Sequence, residues 1–217
     1  IQHYVYGDTD PVVQRVALHR IRTLQSMYPL QLPEAAVAGA FSTLPMDITQ
    51  VSSLHVKRAL ATATVPQWLV VAGWPCQDLS TAGTSKGLRG TRSGLLFDLV
   101  RVLGAFQQLA ATPPAYINEN VLFQSHHNQH IARDDFQRVQ GMLGVPLQLD
   151  AAQCGSLAHR CRNIWSNLAT PAHLRLVLEQ VGRPPGRNVQ LALQPNRLPQ
   201  PVRHTEFVPQ HPCNIPG

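Results

Sequence analysis

The run Trp68-Leu69-Val70-Val71-Ala72-Gly73 is apolar from end to end and closes on glycine. A run this short and this uniform has no polar side to give to water, so it reads as a buried parallel strand. A Gly-, Ser- and Thr-rich stretch comes next, from Pro75 to about Arg92, and reads as a loop. A buried strand that ends in such a loop needs helices packed over it, which constrains the chain to a layered α/β arrangement.

The rest of the chain alternates in keeping with this. Tyr4-Val5-Tyr6 reads as a short strand. Asp10-Pro11 opens a helix, with Asp10 as N-cap and Pro11 at the first helical position. Val13, Val16, Ala17 and Leu24 give that helix an apolar stripe. A second helix begins near Ser93, with Leu95, Leu96, Leu99, Val102, Leu103 and Phe106 on one face. Tyr116-Ile117 is a short strand leading into Glu119-Asn120-Val121. A third helix covers residues 132–143, with Phe136, Val139 and Leu143 inward, and residues 146–150 form another strand. The alternation predicts an α/β fold with a parallel sheet. Ligands of such sheets sit at the carboxyl ends of the strands, where Asp8, Cys76 and Glu119, each just after a predicted strand, would meet. Beyond Pro171 one helix, residues 172–180, precedes a Pro- and Gln-rich tail that cannot build a core of its own.

Composition narrows the classes. The 217 residues suffice for one medium domain. Eighteen Lys and Arg against 12 Asp and Glu leave a net charge of +6, which suits an anionic partner such as nucleic acid and equally suits plain solubility. Cys76, Cys154, Cys161 and Cys213 are scattered and form no Cys-x-x-Cys pair. That pattern argues against a zinc site and a dense disulfide framework, and free thiols point to a reducing compartment. No apolar run approaches the roughly 18 residues that span a membrane, and residues 1–6 carry no basic n-region of a signal peptide. His126-His127-Asn128-Gln129-His130 has no Cys, Asp or Glu spaced to complete a metal site and reads as a polar loop, so no metal is expected.

The stretch Gly73-Trp74-Pro75-Cys76-Gln77-Asp78-Leu79-Ser80, continuing through Ala82-Gly83, Gly87-Leu88, Gly90 and Arg92-Ser93-Gly94-Leu95, resembles the nucleophile loop of the DNA cytosine-5 methyltransferases. The resemblance implies that Cys76 adds to carbon 6 of cytosine, converting a ring whose carbon 5 is a poor nucleophile into a covalent enamine. Cysteine suits the task because its thiolate is soft and partly available near neutral pH. The target base must leave the duplex to be reached, and the Gly-rich loop resembles the one that closes over it in the family.

Other stretches extend the likeness. Asn118-Glu119-Asn120-Val121 resembles the family's Glu-Asn-Val, which implies that Glu119 holds the ring nitrogen and exocyclic amine and activates carbon 6. Asp150-Ala151-Ala152, Gly155 and His159-Arg160-Cys161-Arg162, ending in Trp165-Ser166-Asn167-Leu168, resemble the family's Arg-x-Arg strand and look closest to the eukaryotic de novo class. Arg160 and Arg162 would then reach the cytosine carbonyl and nearby backbone. Ala158 stands where many bacterial members carry Gln. Tyr4 to Asp8 resembles the strand whose acidic end binds the ribose of S-adenosylmethionine, with Asp8 in that place. Asp47-Ile48-Thr49 resembles the next motif, in which Asp accepts from the adenine amine, and Leu95 matches an apolar cofactor contact. Asp8 and Asp47 read equally well as N-caps.

The implied protein is a DNA (cytosine-5-)-methyltransferase with a Rossmann-like, S-adenosylmethionine-dependent fold, a mostly parallel sheet truncated at both ends, and duplex DNA as partner. The family's opening Phe-x-Gly-x-Gly loop has no counterpart before Tyr4, and its closing strand and helix have none in the tail. Residues 1–168 would be a partial catalytic domain. Residues 169–217 would be the start of a target-recognition region or a Pro-rich disordered tail. The eukaryotic likeness would place the protein in the nucleus, in epigenetic regulation; otherwise it would be cytoplasmic. A catalytically inactive DNA-binding relative and a tRNA cytosine-5 methyltransferase remain open alternatives.

Overall fold

The computed structural model describes residues 1–62, 67–79, 86–123, 129–154, 156 and 159–181. Its sheet has four strands, β1 (Leu69–Gly73), β2 (Ala115–Val121), β3 (Leu147–Asp150) and β4 (Cys161–Ser166), in the order β1-β2-β4-β3. β1 and β2 are parallel, from Leu69 opposite Ala115 to Gly73 opposite Glu119. β4 is antiparallel to both of its neighbours. Hence β1, β2 and β3 run the same way, with β4 reversed between the last two. Three strand carboxyl ends and the start of β4 therefore lie along one end of the sheet. The α/β class holds, with a mixed sheet.

Period-two burial explains the placement of β4. Cys161, Asn163 and Trp165 are buried and alternate with half-buried neighbours, as expected of an inner strand. Trp165 is fully buried, with its ring 5.3 Å from that of Trp74. Asn167 accepts from Tyr116 N at 2.8 Å and donates to Pro114 O at 3.0 Å, so the Trp-x-Asn-Leu ending anchors the start of β2.

The described residues form six α-helices: α1 (Pro11–Met27), α2 (Glu34–Val37), α3 (Ser53–Thr62), α4 (Leu95–Leu109), α5 (Gln129–Leu143) and α6 (Pro171–Val181). α4 carries the chain from β1 to β2 and buries Leu96, Leu99, Val102, Leu103 and Phe106, the face that its sequence spacing predicts. Val139 and Leu143 of α5 join the same core, and Phe136 packs against it. Gly144, at φ +82°, ends α5 with its N–H on Gln140 O, a left-handed position that favours glycine.

Several expectations need correction. Residues 4–6 are not a strand: Tyr4 N and Tyr6 N donate to Ala36 O and Ala40 O, each at 2.8 Å, so this segment is hydrogen-bonded to α2 and the turn after it rather than to the sheet. α1 is capped as expected, Asp10 accepting from Val12 N and Val13 N. Its stripe is rotated, however. Ile21 is buried, Gln14, Ala17 and Leu24 are half-buried beside it, and Val13 and Val16 are exposed. β1 is covered on one face only, with Leu69 and Val71 54% and 67% exposed, and it pairs with β2 alone among the described residues. β2 extends to Val121, so Glu119 lies within the strand rather than after it. α2 and α3 are not among the helices predicted from the sequence. Cys76 and Cys154 are free thiols, whereas Cys161 is disulfide-bonded, which departs from the expectation of free thiols throughout. No helix among the described residues is long and apolar enough to cross a membrane. The Pro-rich tail after α6 lies outside the described residues.

Trp165→Ala should cost about 3–5 kcal/mol by urea denaturation, whereas Val71→Ala on the open face should stay within about 0.5 kcal/mol. Equal losses would mean that the two faces of the sheet are alike.

Candidate active site

Cys76 is half-buried three residues beyond β1. The backbone leading to it is fixed from outside: buried Asn120 of β2 donates its amide to Trp74 O at 2.9 Å, and Leu79 N closes a turn on Cys76 O at 2.9 Å. Glu119 sits opposite Gly73 in the ladder. A Cβ on residue 73 would lie 3.3 Å from Glu119 Oε2, closer than most side-chain contacts, so the glycine that ends β1 leaves room for the carboxyl group. Arg162 of β4 places Nε against Glu119 Oε1 as an ion pair whose angles are not those of a hydrogen bond. Its Nη1 donates to Cys161 O at 2.7 Å. The structure thus joins Glu119 to Arg162 at the end of the sheet from which the Cys76 turn leaves. Arg160, exposed, stands just before β4.

Asp150, at the end of β3, holds Arg160 in place. It is 6% exposed, and its Oδ1 accepts from Ala152 N at 3.1 Å and Arg160 N at 2.8 Å. Oδ2 meets His159 Nδ1 at 2.8 Å. Burial pushes the Asp150 carboxyl group upward. The His159 hydrogen bond, the two backbone N–H groups and the His159 charge outweigh it and leave it below the ordinary aspartate value.

The remaining candidates form a second group. Gly7 lies beside the chain at residues 45–46, where an added Cβ would be 3.6 Å from Pro45 O and 3.8 Å from Met46 O, which brings the turns bearing Asp8 and Asp47 side by side. Asp8 Oδ1 accepts from Asp10 N at 2.8 Å. Asp47 caps the 3-10 turn Ile48–Gln50, its Oδ1 accepting from the Thr49 hydroxyl at 2.7 Å and from Thr49 N at 2.9 Å. These bonds, the hydroxyl first, hold its carboxyl group below the usual range. Neither Oδ2 accepts a bond among the described residues. Leu95 is the first residue of α4. Arg101, farther along α4, pairs with Asp98 of the same helix and ties that helix to the Asp47 turn by donating to Val51 O and Ile48 O. A cavity of about 560 Å³, lined by Leu44, Pro45, Met46, His55 and Arg58 among others, opens next to Asp47.

Sequence motifs miss the residues that act on backbone. Asn120 and Ser93 stand inside the motifs without a role of their own there. Asp78, Arg101 and Asp135 give no signal beyond polar residues in or beside apolar stretches. Ser80, Ala82-Gly83, His126-His127, Gly155 and Ala158 lie outside the described residues. Among the described residues no group of three or more His, Cys, Asp or Glu could hold a metal ion.

Residues 45–145 match the family model of the C-5 cytosine-specific DNA methylases, a segment that holds Asp47, Cys76, Leu95 and Glu119. The chain is 40% identical over 76 residues to the Type II methyltransferase M2.BsuMI of Bacillus subtilis (strain 168), covering 35% of this chain and 19% of that protein. It is 35% identical over 103 residues to the Type II methyltransferase M.NlaX of Neisseria lactamica, covering 47% and 28% respectively. It is 33% identical over 90 residues to the Type II methyltransferase M.NgoBV of Neisseria gonorrhoeae, covering 41% and 19%. The chain thus matches less than a third of the length of these relatives. All three are bacterial, which does not support the expected likeness to the eukaryotic de novo class or the nuclear, epigenetic setting attached to it.

The lowered Asp150 carboxyl group makes stability depend on acid. A group whose folded value lies below its unfolded one contributes stability above the unfolded value and loses it as pH falls through the folded value. Urea midpoints should therefore drop as pH falls below about 4, and Asp150→Asn should flatten that part of the profile. An unchanged profile would remove Asp150 as its source.

Proposed function

We propose that this chain carries the reaction centre of a DNA cytosine-5 methyltransferase, with Cys76 as nucleophile, Glu119 beside the pyrimidine ring, and Arg162 and Arg160 holding the base. The observation that carries this reading is the joining of three elements: the Cys76 turn, held by Asn120, leaves the end of β1 where Gly73 makes room for Glu119, which Arg162 engages from β4. A flipped cytosine needs a thiol under carbon 6 and a carboxyl group at the ring nitrogen and exocyclic amine. Arg162 is 20% exposed against 43% for Glu119, so the pair is anchored at the arginine and open at the carboxyl. A ligand amine would then meet a carboxylate already oriented from behind.

The cofactor implied by the family fits the second group of residues by donor chemistry. The Oδ2 atoms of Asp8 and Asp47 are acceptors, suited to ribose hydroxyls and to an adenine amine, and the side-by-side turns keep both carboxylates in one region. Leu95 would add an apolar contact. S-adenosylmethionine supplies an electrophilic methyl group when bound. This chain's own residues draw out the base's reactivity: Cys76 by addition at carbon 6, Glu119 by favouring positive charge on the ring, Arg160 and Arg162 by orientation. We assign residues 1–168 to a partial catalytic domain and residues 169–217 to the start of a target-recognition region or a Pro-rich tail. Relatives from bacteria favour the cytoplasm over the nucleus as its setting.

Transfer of labelled methyl from S-adenosylmethionine should reach duplex DNA in preference to tRNA. Cys76→Ala should abolish transfer while DNA binding persists, and Glu119→Gln should slow it by about 10²- to 10⁴-fold. Transfer that survives Cys76→Ala would overturn the mechanism, and preference for tRNA would overturn the substrate.

A further inference from the structure

We propose that Asp78 is a positioning residue for Cys76, acting through the turn that contains Gly90 and Ser93. Asp78 sits two residues after the nucleophile, inside the turn closed by Leu79 N on Cys76 O. It is a polar residue only 6% exposed. Its Oδ2 accepts from Ser93 N at 3.1 Å and from Arg92 N at 3.2 Å, and its backbone carbonyl accepts from Gly87 N at 2.9 Å. One residue therefore joins the chain just after Cys76 to both ends of the segment 87–93. The packing is tight: a Cβ on residue 90 would lie 2.2 Å from Asp78 Cγ, so only glycine lets the turn close over this carboxyl group.

The turn in its place reaches back to the nucleophile. Ser93, fully buried, directs its hydroxyl to Pro75 O across a long 3.5 Å contact. Trp74 O, Pro75 O and Cys76 O thus face Asn120, Ser93 and Leu79 in turn, so three successive peptides around the thiol are restrained from three sides. The far side of the turn is held too, since Leu88 N donates at 2.7 Å to Oδ2 of buried Asp135 on α5. Asp78 is the piece shared between the Cys76 turn and this outer clamp. Its removal would leave two N–H groups without their acceptor and release the turn from Cys76, a loss that local opening registers before global unfolding does.

The role of Asp78 rests on the proposed reaction centre but is tested without it. Cys154 is free and exposed in the 3-10 turn Ala151–Cys154, which makes it an internal reference for alkylation. The folded chain is treated with iodoacetamide, and the modification rates of Cys76 and Cys154 are read by peptide mass. Asp78→Ala should raise the Cys76-to-Cys154 ratio by about tenfold or more, the effect of freeing two hydrogen-bonded donors on local opening. Asp78→Asn keeps a carbonyl oxygen for the same two N–H groups and should restore a ratio near that of the unaltered chain. Leu143→Ala, which weakens the core from α5, should leave the ratio unchanged at comparable loss of stability. If Asp78→Ala does not fold, Ser93→Ala should shift the ratio in the same direction by a smaller factor. A ratio unmoved by Asp78→Ala or its substitute, or moved as far by Leu143→Ala, overturns the proposal. In parallel, methyl transfer by Asp78→Ala should lose about 10²-fold in kcat with KM for DNA preserved, the cost of a misplaced nucleophile. If the unaltered chain transfers no methyl, the reaction reading fails while the alkylation ratio still decides the role of Asp78.

Discussion

The reversed insertion of β4 between β2 and β3 is the constraint on which the site depends. Were β4 parallel, Arg160 and Arg162 would start at the opposite end of the sheet from Glu119 and the Cys76 turn. Running backwards, β4 delivers its first residues where β1, β2 and β3 deliver their last. Trp165 and Asn163 hold it there, one by complete burial in the core, the other by donating its side chain to Val121 O at 3.1 Å. An antiparallel inner strand of this kind needs close side-chain fit on both neighbours, which is why its alternate residues are buried.

That end of the sheet is also where burial is most polar. Asp78, Asp135 and Asp150 are each about 5–6% exposed, and each accepts one or two backbone N–H groups: Asp78 from Arg92 and Ser93, Asp135 from Leu88, and Asp150 from Ala152 and Arg160. A buried carboxyl group left without donors costs several kcal/mol, on the order of the whole stability margin of a domain. Conversely, a turn whose N–H groups have no acceptor is equally costly to bury. Each aspartate and its turn therefore form a mutual requirement, and together they fix irregular backbone that no helix or strand could hold.

The elements legible in sequence are those whose apolar pattern coincides with the face that is buried. α4 is the clearest, since Leu96, Leu99, Val102, Leu103 and Phe106 are both the periodic set and the core set. α1 is half legible: Asp10 and Pro11 fix its start, but its valines outnumber the surface it has to cover, and Ile21 decides its orientation instead. In β1 an apolar run expresses the capacity for burial on both faces, and what packs over the sheet decides whether both are used. β2 is longer than its apolar residues suggest because Asn118-Glu119-Asn120 has low strand propensity, which the ladder to β4 overrides. At the site, Cys76, Glu119 and Arg162 are legible because their chemistry stands in compact motifs. Asp78 is not, because its meaning lies in the return of Gly90 and Ser93 to it.

β1 leads into Cys76, the proposed nucleophile, and is at the same time the least covered of the four described strands, open along Leu69 and Val71. The two facts are compatible because, among the described residues, the bonds that hold the chain around Cys76 come from Asn120, Ser93 and Leu79. Val70 and Ala72 pack inward against the core. Asn120 reaches the strand end from the paired edge, Ser93 reaches it from the turn that precedes α4, and Asp78 ties that turn to the residues just after Cys76. The position of the thiol is thus set by the covered half of β1. Changes on the open half alter what the sheet can pack against while leaving the peptides at residues 74–76 restrained, so the geometry around Cys76 is a property of the core itself.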